Sequence, residues 1–156
     1  MSVVIREATL EDIDVILKID RDCSPVFAKA ESYERLMSHP GAVLLAVVAE
    51  EVAGFAACSR VLDEATLLNL VVVPEVRSKG VARDLLDALL ERLMDLGVSR
   101  LLLEVRQSNV IAQSLYVSAG FGHDGQRADY YPGHNGGAAE TAILMSRQLG
   151  IQNASA

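Results

Sequence analysis

The stretch from Ala65 to Leu96 constrains the fold more than any other part of the chain, because the hydrophobic period changes in its middle. Ala65–Val73 is a β-rich run with apolar residues on both faces, the pattern of a strand buried in the centre of a sheet. A polar turn follows, Arg77-Ser78-Lys79-Gly80. Val81, Leu85, Leu89 and Leu93 then recur at helical spacing, with Ala82, Leu86, Leu90 and Met94 beside them. Gly97 stands where a helix C-cap favours a left-handed residue. A buried strand that runs straight into a long amphipathic helix needs a sheet with helices stacked on it.

The flanking segments extend that pattern. Val3–Arg6 reads as a first strand, and Thr9 as the N-cap of a helix with Asp12 at its third position and Ile13, Ile16 and Leu17 on one face. Ser24-Pro25 breaks this helix. A second helix over about Ser32–Ser38 stops before His39-Pro40-Gly41. Val43–Val48 and Val52–Arg60 flank Glu50-Glu51 as a hairpin, Arg100–Arg106 is a strand, and Asn109–Ala119 is a short helix closed by Gly120. Strands over Phe121–Arg127 and Thr141–Arg147 complete the order βααβββαβαββ, an α/β (α+β) arrangement. One domain over 1–150 with a small polar tail at 151–156 is expected.

Of 156 residues, 51% are hydrophobic and 22% charged, which excludes a disordered chain. The net charge of −7 opposes general binding to nucleic acid or anionic membranes, and suits a cationic substrate or basic peptide. Cys23 and Cys58 lie far apart and match no metal-ligand spacing, and His39, His123 and His134 are equally scattered, so no metal is expected. The first residues show no basic segment leading into a long apolar run; a cytoplasmic protein with reduced cysteines is expected.

The loop before the long helix is where chemistry concentrates. Free N–H groups at a helix N-terminus favour an anion, Gly80 permits close backbone approach, and Arg77, Lys79 and Arg83 cluster positive charge in an acidic chain. The loop has neither the Walker pattern nor Gly-x-Gly-x-x-Gly. Arg77-x-x-Gly80-x-Ala82 after a strand resembles the Gln/Arg-x-x-Gly-x-Gly/Ala signature of the GNAT N-acetyltransferases. The resemblance extends to the RimI-type ribosomal-protein alanine N-acetyltransferases through Leu62–Asn69, Leu103–Asn109, Leu115–Phe121 and Tyr130-Tyr131-Pro132. It spans residues 60–146 in order. Residues 1–59 share only element order and Ser24-Pro25, with Val26 where that group carries an aromatic.

The resemblance implies a mostly antiparallel sheet of about seven strands with helices on both faces, and acetyl-CoA as co-substrate. It implies that Leu70, Val71 and Val72 offer backbone groups to the pantetheine arm beside a splayed strand. Ser78, Lys79, Gly80, Val81, Ala82 and Arg83, following Arg77, would bind the pyrophosphate, and Asn109 would hydrogen-bond the cofactor. Glu104 would be the general base and Tyr116 the general acid in direct attack by an amine. Tyr130 and Tyr131 would close over the acceptor, in a loop with a mobile tip at Gly133, Gly136 and Gly137. Asp63 and Glu64, with Asp129 and Glu140, are either solvated acids or the lining of an acidic groove.

The chemistry is compatible with one carboxylate. Neutralising an α-amine at pH 7 costs about 1 kcal/mol, whereas a lysine costs about 4.6 kcal/mol. By period two, Glu104 shares a face with Leu102 and is either that base or an acid emerging at the sheet surface. The expected acceptor is the N-terminal amine of a basic, small-subunit ribosomal protein, with the enzyme a monomer or weak homodimer. A lysine or small-amine acceptor, and a catalytically silent acyl-CoA-binding module, are the alternatives.

Overall fold

The computed structural model describes residues 1–24, 28–40, 42–133 and 137–150. Seven strands form one sheet: β1 (Val3–Glu7), β2 (Val43–Val48), β3 (Glu51–Val61), β4 (Glu64–Val72), β5 (Arg100–Arg106), β6 (Gly122–Tyr131) and β7 (Glu140–Gln148), in the spatial order β1-β2-β3-β4-β5-β7-β6. Every neighbouring pair is antiparallel except β4 and β5. Those two strands are joined through α3 (Val81–Asp95), the crossover that parallel pairing requires. The element order is the expected one, with α1 (Ile13–Cys23) and α2 (Ala30–Met37) after β1 and α4 (Val110–Ser118) after β5.

Two hydrophobic layers hold the sheet between its helices. On one face α3 buries Val81, Leu85, Leu86, Leu89, Leu90 and Leu93 against Leu44, Ala56, Leu67, Leu101, Leu103 and Val105, and Tyr116 of α4 joins the same layer. On the other face Ile16 and Ile19 of α1 and Tyr33 of α2 pack on Val43, Leu45, Phe55 and Val71. Six residues of α3 are thus buried in the first layer. Met94, at its edge, is 38% exposed.

Three local boundaries differ from the sequence reading. The hairpin turn is Ala49-Glu50, both with positive φ, so Glu51 already belongs to β3; turns of that hand match strand twist. The first helix starts as a 3-10 turn at Leu10–Asp12 closed by a Thr9/Asp12 capping box. Finally, β6 continues to Tyr131, past an irregularity between Arg127 and Tyr131 where Asp129 has φ 53°. Tyr130 and Tyr131 are therefore the end of a strand and not a loop. Val26 and Gly136 fall outside the described residues, as do residues 151–156. No helix among the described residues is long and apolar enough to cross a membrane.

Candidate active site

The pairing of β4 with β5 stops early. It runs only from Glu64↔Arg100 to Leu67↔Leu103, although β4 continues to Val72 and β5 to Arg106. Beyond Leu67 the strands diverge, while β4 stays paired with β3 as far as Val72↔Gly54. The Val73 amide donates to the Ala53 carbonyl at 2.9 Å, so Val73 turns its backbone groups toward β3. By alternation Val71 does the same, and Leu70 and Val72 present theirs to the gap. Of the three residues expected to serve the pantetheine arm, only Leu70 and Val72 face the opening.

The Val72 carbonyl is itself taken. Arg77 Nε donates to it at 2.9 Å, so Arg77 braces the strand end. Beyond it, Ser78 (φ 63°) and Gly80 (φ 86°) are both left-handed, a geometry that gathers successive N–H groups into a concavity. The amides of Ser78 to Arg83 have no acceptor among the described residues. Six amides at a helix N-terminus suit a pyrophosphate, so the loop fits the expected cofactor on its backbone alone. The side chains contribute less than expected: Arg83 pairs with Asp87 (2.9 Å) and reaches Ser118 of α4 (3.1 Å). Asn109 caps α4, its Oδ1 accepting from the Ala112 amide at 3.1 Å; its Nδ2 has no hydrogen-bond partner among the described residues.

On the β5 side of the gap three side chains share one electrostatic neighbourhood. Leu103 and Val105 point into the layer under α3, so Glu104 projects from the opposite face and is exposed. Tyr116 is 8% exposed and packs on Phe121, with ring centroids 5.7 Å apart. Burial first, and the neighbouring Tyr131 second, push its hydroxyl up to about 12. Tyr131 is also raised, by burial and then by the charge of Glu104. It stacks edge-on with Tyr130 at 5.2 Å and carries the Arg106 guanidinium 4.6 Å from its ring centre. Tyr131 is thus coupled electrostatically to both groups that the sequence singled out.

The acidic groove does not form as expected. Asp63 and Glu64 lie at the start of β4, roughly 20 Å along the strand from Leu70. There Asp63 accepts from the Ser99 hydroxyl (2.8 Å) and Glu64 faces Arg100 (3.6 Å). Glu140 is engaged too, accepting from the Ser108 amide (2.6 Å) and from Arg106 (3.2 Å). Asp63 and Glu64 are thus far from the gap, whereas Glu140 pairs with Tyr131 at the end of β6, so the four acids do not form one groove.

Gly54, on β3 behind the gap-bordering part of β4, is a packing constraint that the sequence reading missed. A Cβ there would lie 2.6 Å from the Val71 carbonyl oxygen and 3.3 Å from Val72 Cα. Only glycine lets β3 come this close to the part of β4 that borders the gap. A glycine inside an apolar strand was the available signal.

Residues 13–121 match the Acetyltransferase (GNAT) family. The chain belongs to that family. It is an acetyltransferase, and acetyl-CoA is its donor. It is 47% identical over 100 residues to the ribosomal protein bS18-alanine N-acetyltransferase of Haemophilus ducreyi, covering 64% of this chain and 68% of the relative. Against the enzyme of the same name from Escherichia coli K12 the identity is 45% over 101 residues, covering 65% and 67%. The fold matches the crystal structure of the ribosomal-protein-S18-alanine N-acetyltransferase from Escherichia coli, with a TM-score of 0.86, 29% identity and 97% of each chain covered. Ard1 from Thermoplasma volcanium aligns with a TM-score of 0.84 and 26% identity over 96% of this chain and 99% of that one.

Proposed function

We propose that this acetyltransferase acetylates the N-terminal α-amine of a protein, a small-subunit ribosomal protein of the bS18 type. In this reading Glu104 is the base and Tyr116 the proton donor. The observation that supports it is the early end of the β4–β5 pairing at Leu67↔Leu103, with Glu104 exposed on β5 just beyond it and Tyr131 feeling the charge of Glu104 and acting in turn on Tyr116. The names of the relatives supply the acceptor class.

Bound acetyl-CoA supplies a thioester whose C–S bond breaks as the C–N bond forms. The chain holds the donor through the amides of Ser78 to Arg83 and through the gap-facing backbone of Leu70 and Val72. Glu104 takes the amine proton. One exposed carboxylate is adequate for an α-amine, whose neutral form costs only about 1 kcal/mol at pH 7. Tyr116 gives a hydrogen bond, and then its proton, to the departing sulfur. Burial keeps that phenol protonated throughout the physiological range. Its high pKa makes full transfer before C–S cleavage unfavourable, so proton donation accompanies cleavage.

Mass spectrometry of peptides incubated with the protein and acetyl-CoA tests the reading. A bS18-type peptide beginning with alanine gains one acetyl group, and the same peptide with a blocked N-terminus and free lysines gains none. Acetylation of the lysines alone, or of no amine in the panel, overturns it.

A further inference from the structure

A buried chain of hydrogen bonds links Asp20, Tyr33 and Asn69, and the chemistry above makes no use of it. Asp20 lies on α1 and is fully buried. Its Oδ2 accepts from the Ala28 amide at 3.1 Å and from the Tyr33 hydroxyl at 2.7 Å, while its Oδ1 has no partner among the described residues. Tyr33, on α2, is 2% exposed. Because its proton goes to the carboxylate, the Tyr33 oxygen can only accept, and it does so from Asn69 Nδ2 at 3.1 Å. That contact sets the orientation of the Asn69 amide: nitrogen inward, oxygen free. Asn69 Oδ1 makes no hydrogen bond among the described residues.

The free oxygen stands at the edge of the gap. Asn69 shares the face of β4 with Val71, whose side chain packs in the layer of α1 and α2. Glu104 leaves β5 on that same face. The last β4–β5 pair is Leu67↔Leu103, so Asn69 and Glu104 lie just beyond the point of divergence, one on each strand. A carboxylate and a phenol are costly to bury, and apolar residues would pack this layer at lower cost. The chain instead fixes the amide of the β4 residue that lies across the divergence from the candidate base.

We propose that Asn69 Oδ1 accepts an N–H bond from the acceptor amine, with Tyr33 and Asp20 as the positioning residues that hold the amide in this orientation. The inference rests on reading the gap as the site of acetyl transfer. Once Glu104 has taken one proton, an N–H directed at Asn69 orients the remaining lone pair of the amine for attack. The group recognised is a primary amine.

Steady-state kinetics with an alanine-starting peptide and acetyl-CoA, accompanied by thermal melts, tests the proposal. Asn69→Ala raises the acceptor KM about tenfold, the worth of one hydrogen bond, and leaves the acetyl-CoA KM within about twofold. Tyr33→Phe keeps the edge-on packing against Phe55 (5.8 Å, 87°) and raises the acceptor KM by less. Because Tyr33 acts through Asn69, the double variant is no worse than Asn69→Ala. An unchanged acceptor KM in Asn69→Ala overturns the proposal, as do parallel rises in both KM values or additive effects in the double variant. Wild-type protein that acetylates no amine would instead remove the reading of the gap itself.

Discussion

Arg77 folds back on its own strand, its Nε donating to the Val72 carbonyl across the turn that leads to α3. This bond ties the end of β4 to the loop whose free amides are proposed to hold the cofactor, so the two parts of that candidate site hold one relative position. Arg77→Ala removes the tie without touching the core, since Arg77 is exposed. Acetyl-CoA then binds about three- to tenfold more weakly, the net value of one hydrogen bond, with the melting temperature almost unchanged. Calorimetric titration gives the number. Undiminished affinity would mean that the loop needs no brace.

Gly54 limits the other side of β4. In Gly54→Ala the added methyl meets backbone atoms, the Val71 carbonyl oxygen and Val72 Cα, which cannot rotate away as a side chain could. The strand must shift, at about 1–3 kcal/mol, and its gap-facing groups shift with it. The variant loses stability in urea denaturation and weakens acetyl-CoA binding in the same direction. If it unfolds at the wild-type urea midpoint, the close approach carries no strain.

The sequence was most legible where one physical demand acted alone. The α3 stripe and the buried run of β4 answer only to burial, and both elements stand where their periods put them. The Arg77–Ala82 loop was legible as a left-handed turn before a helix, with Gly80 marking it, but the bond made by Arg77 was not. Whether a guanidinium meets a ligand or a nearby carbonyl depends on a turn whose left-handed Ser78 no pattern announces. Asp63 and Glu64 were legible as acids and illegible as to place, because proximity in the chain to β4 says nothing about which end of the strand reaches the site. Asp20, Tyr33 and Asn69 were invisible for the same reason: each looks ordinary locally, and they meet only when α1 and α2 dock on the sheet.

The Tyr116 hydroxyl leads to a prediction about pH. Its ordinary value near 10 is pushed up to about 12 by burial and by Tyr131, so it stays protonated well into the alkaline range. With an α-amine acceptor near 8, kcat/KM for the peptide rises through about pH 8 and stays level to pH 10, with no descending limb from the phenol. Tyr116→Phe lowers kcat about 10²- to 10⁴-fold at every pH and leaves acetyl-CoA affinity within about twofold. A wild-type decline beginning near pH 9, absent from the variant, would show that the hydroxyl titrates normally. Equal losses in kcat and cofactor affinity would remove its role as proton donor.

Acid stability depends on a pair at the opposite edge of the molecule. Arg6 grips Asp12 with two bonds of 2.9 Å, and the Thr9 amide donates to the same carboxylate at 2.8 Å. The Arg6 hydrogen bonds, against the opposing effect of burial, hold the Asp12 carboxyl down at about 2. A depressed carboxyl stabilises the fold fully above its unfolded value near 4, and the contribution disappears as pH falls through the folded value. Asp12→Asn therefore costs about 1–2 kcal/mol at pH 7, lowers the melting temperature by a constant amount between pH 7 and pH 5, and converges with wild type as pH drops from 4 toward 2. Melts across that range check the sign. A gap between the two proteins that persists undiminished at pH 2 would place the loss in packing or helix capping, and not in the Arg6–Asp12 charge pair.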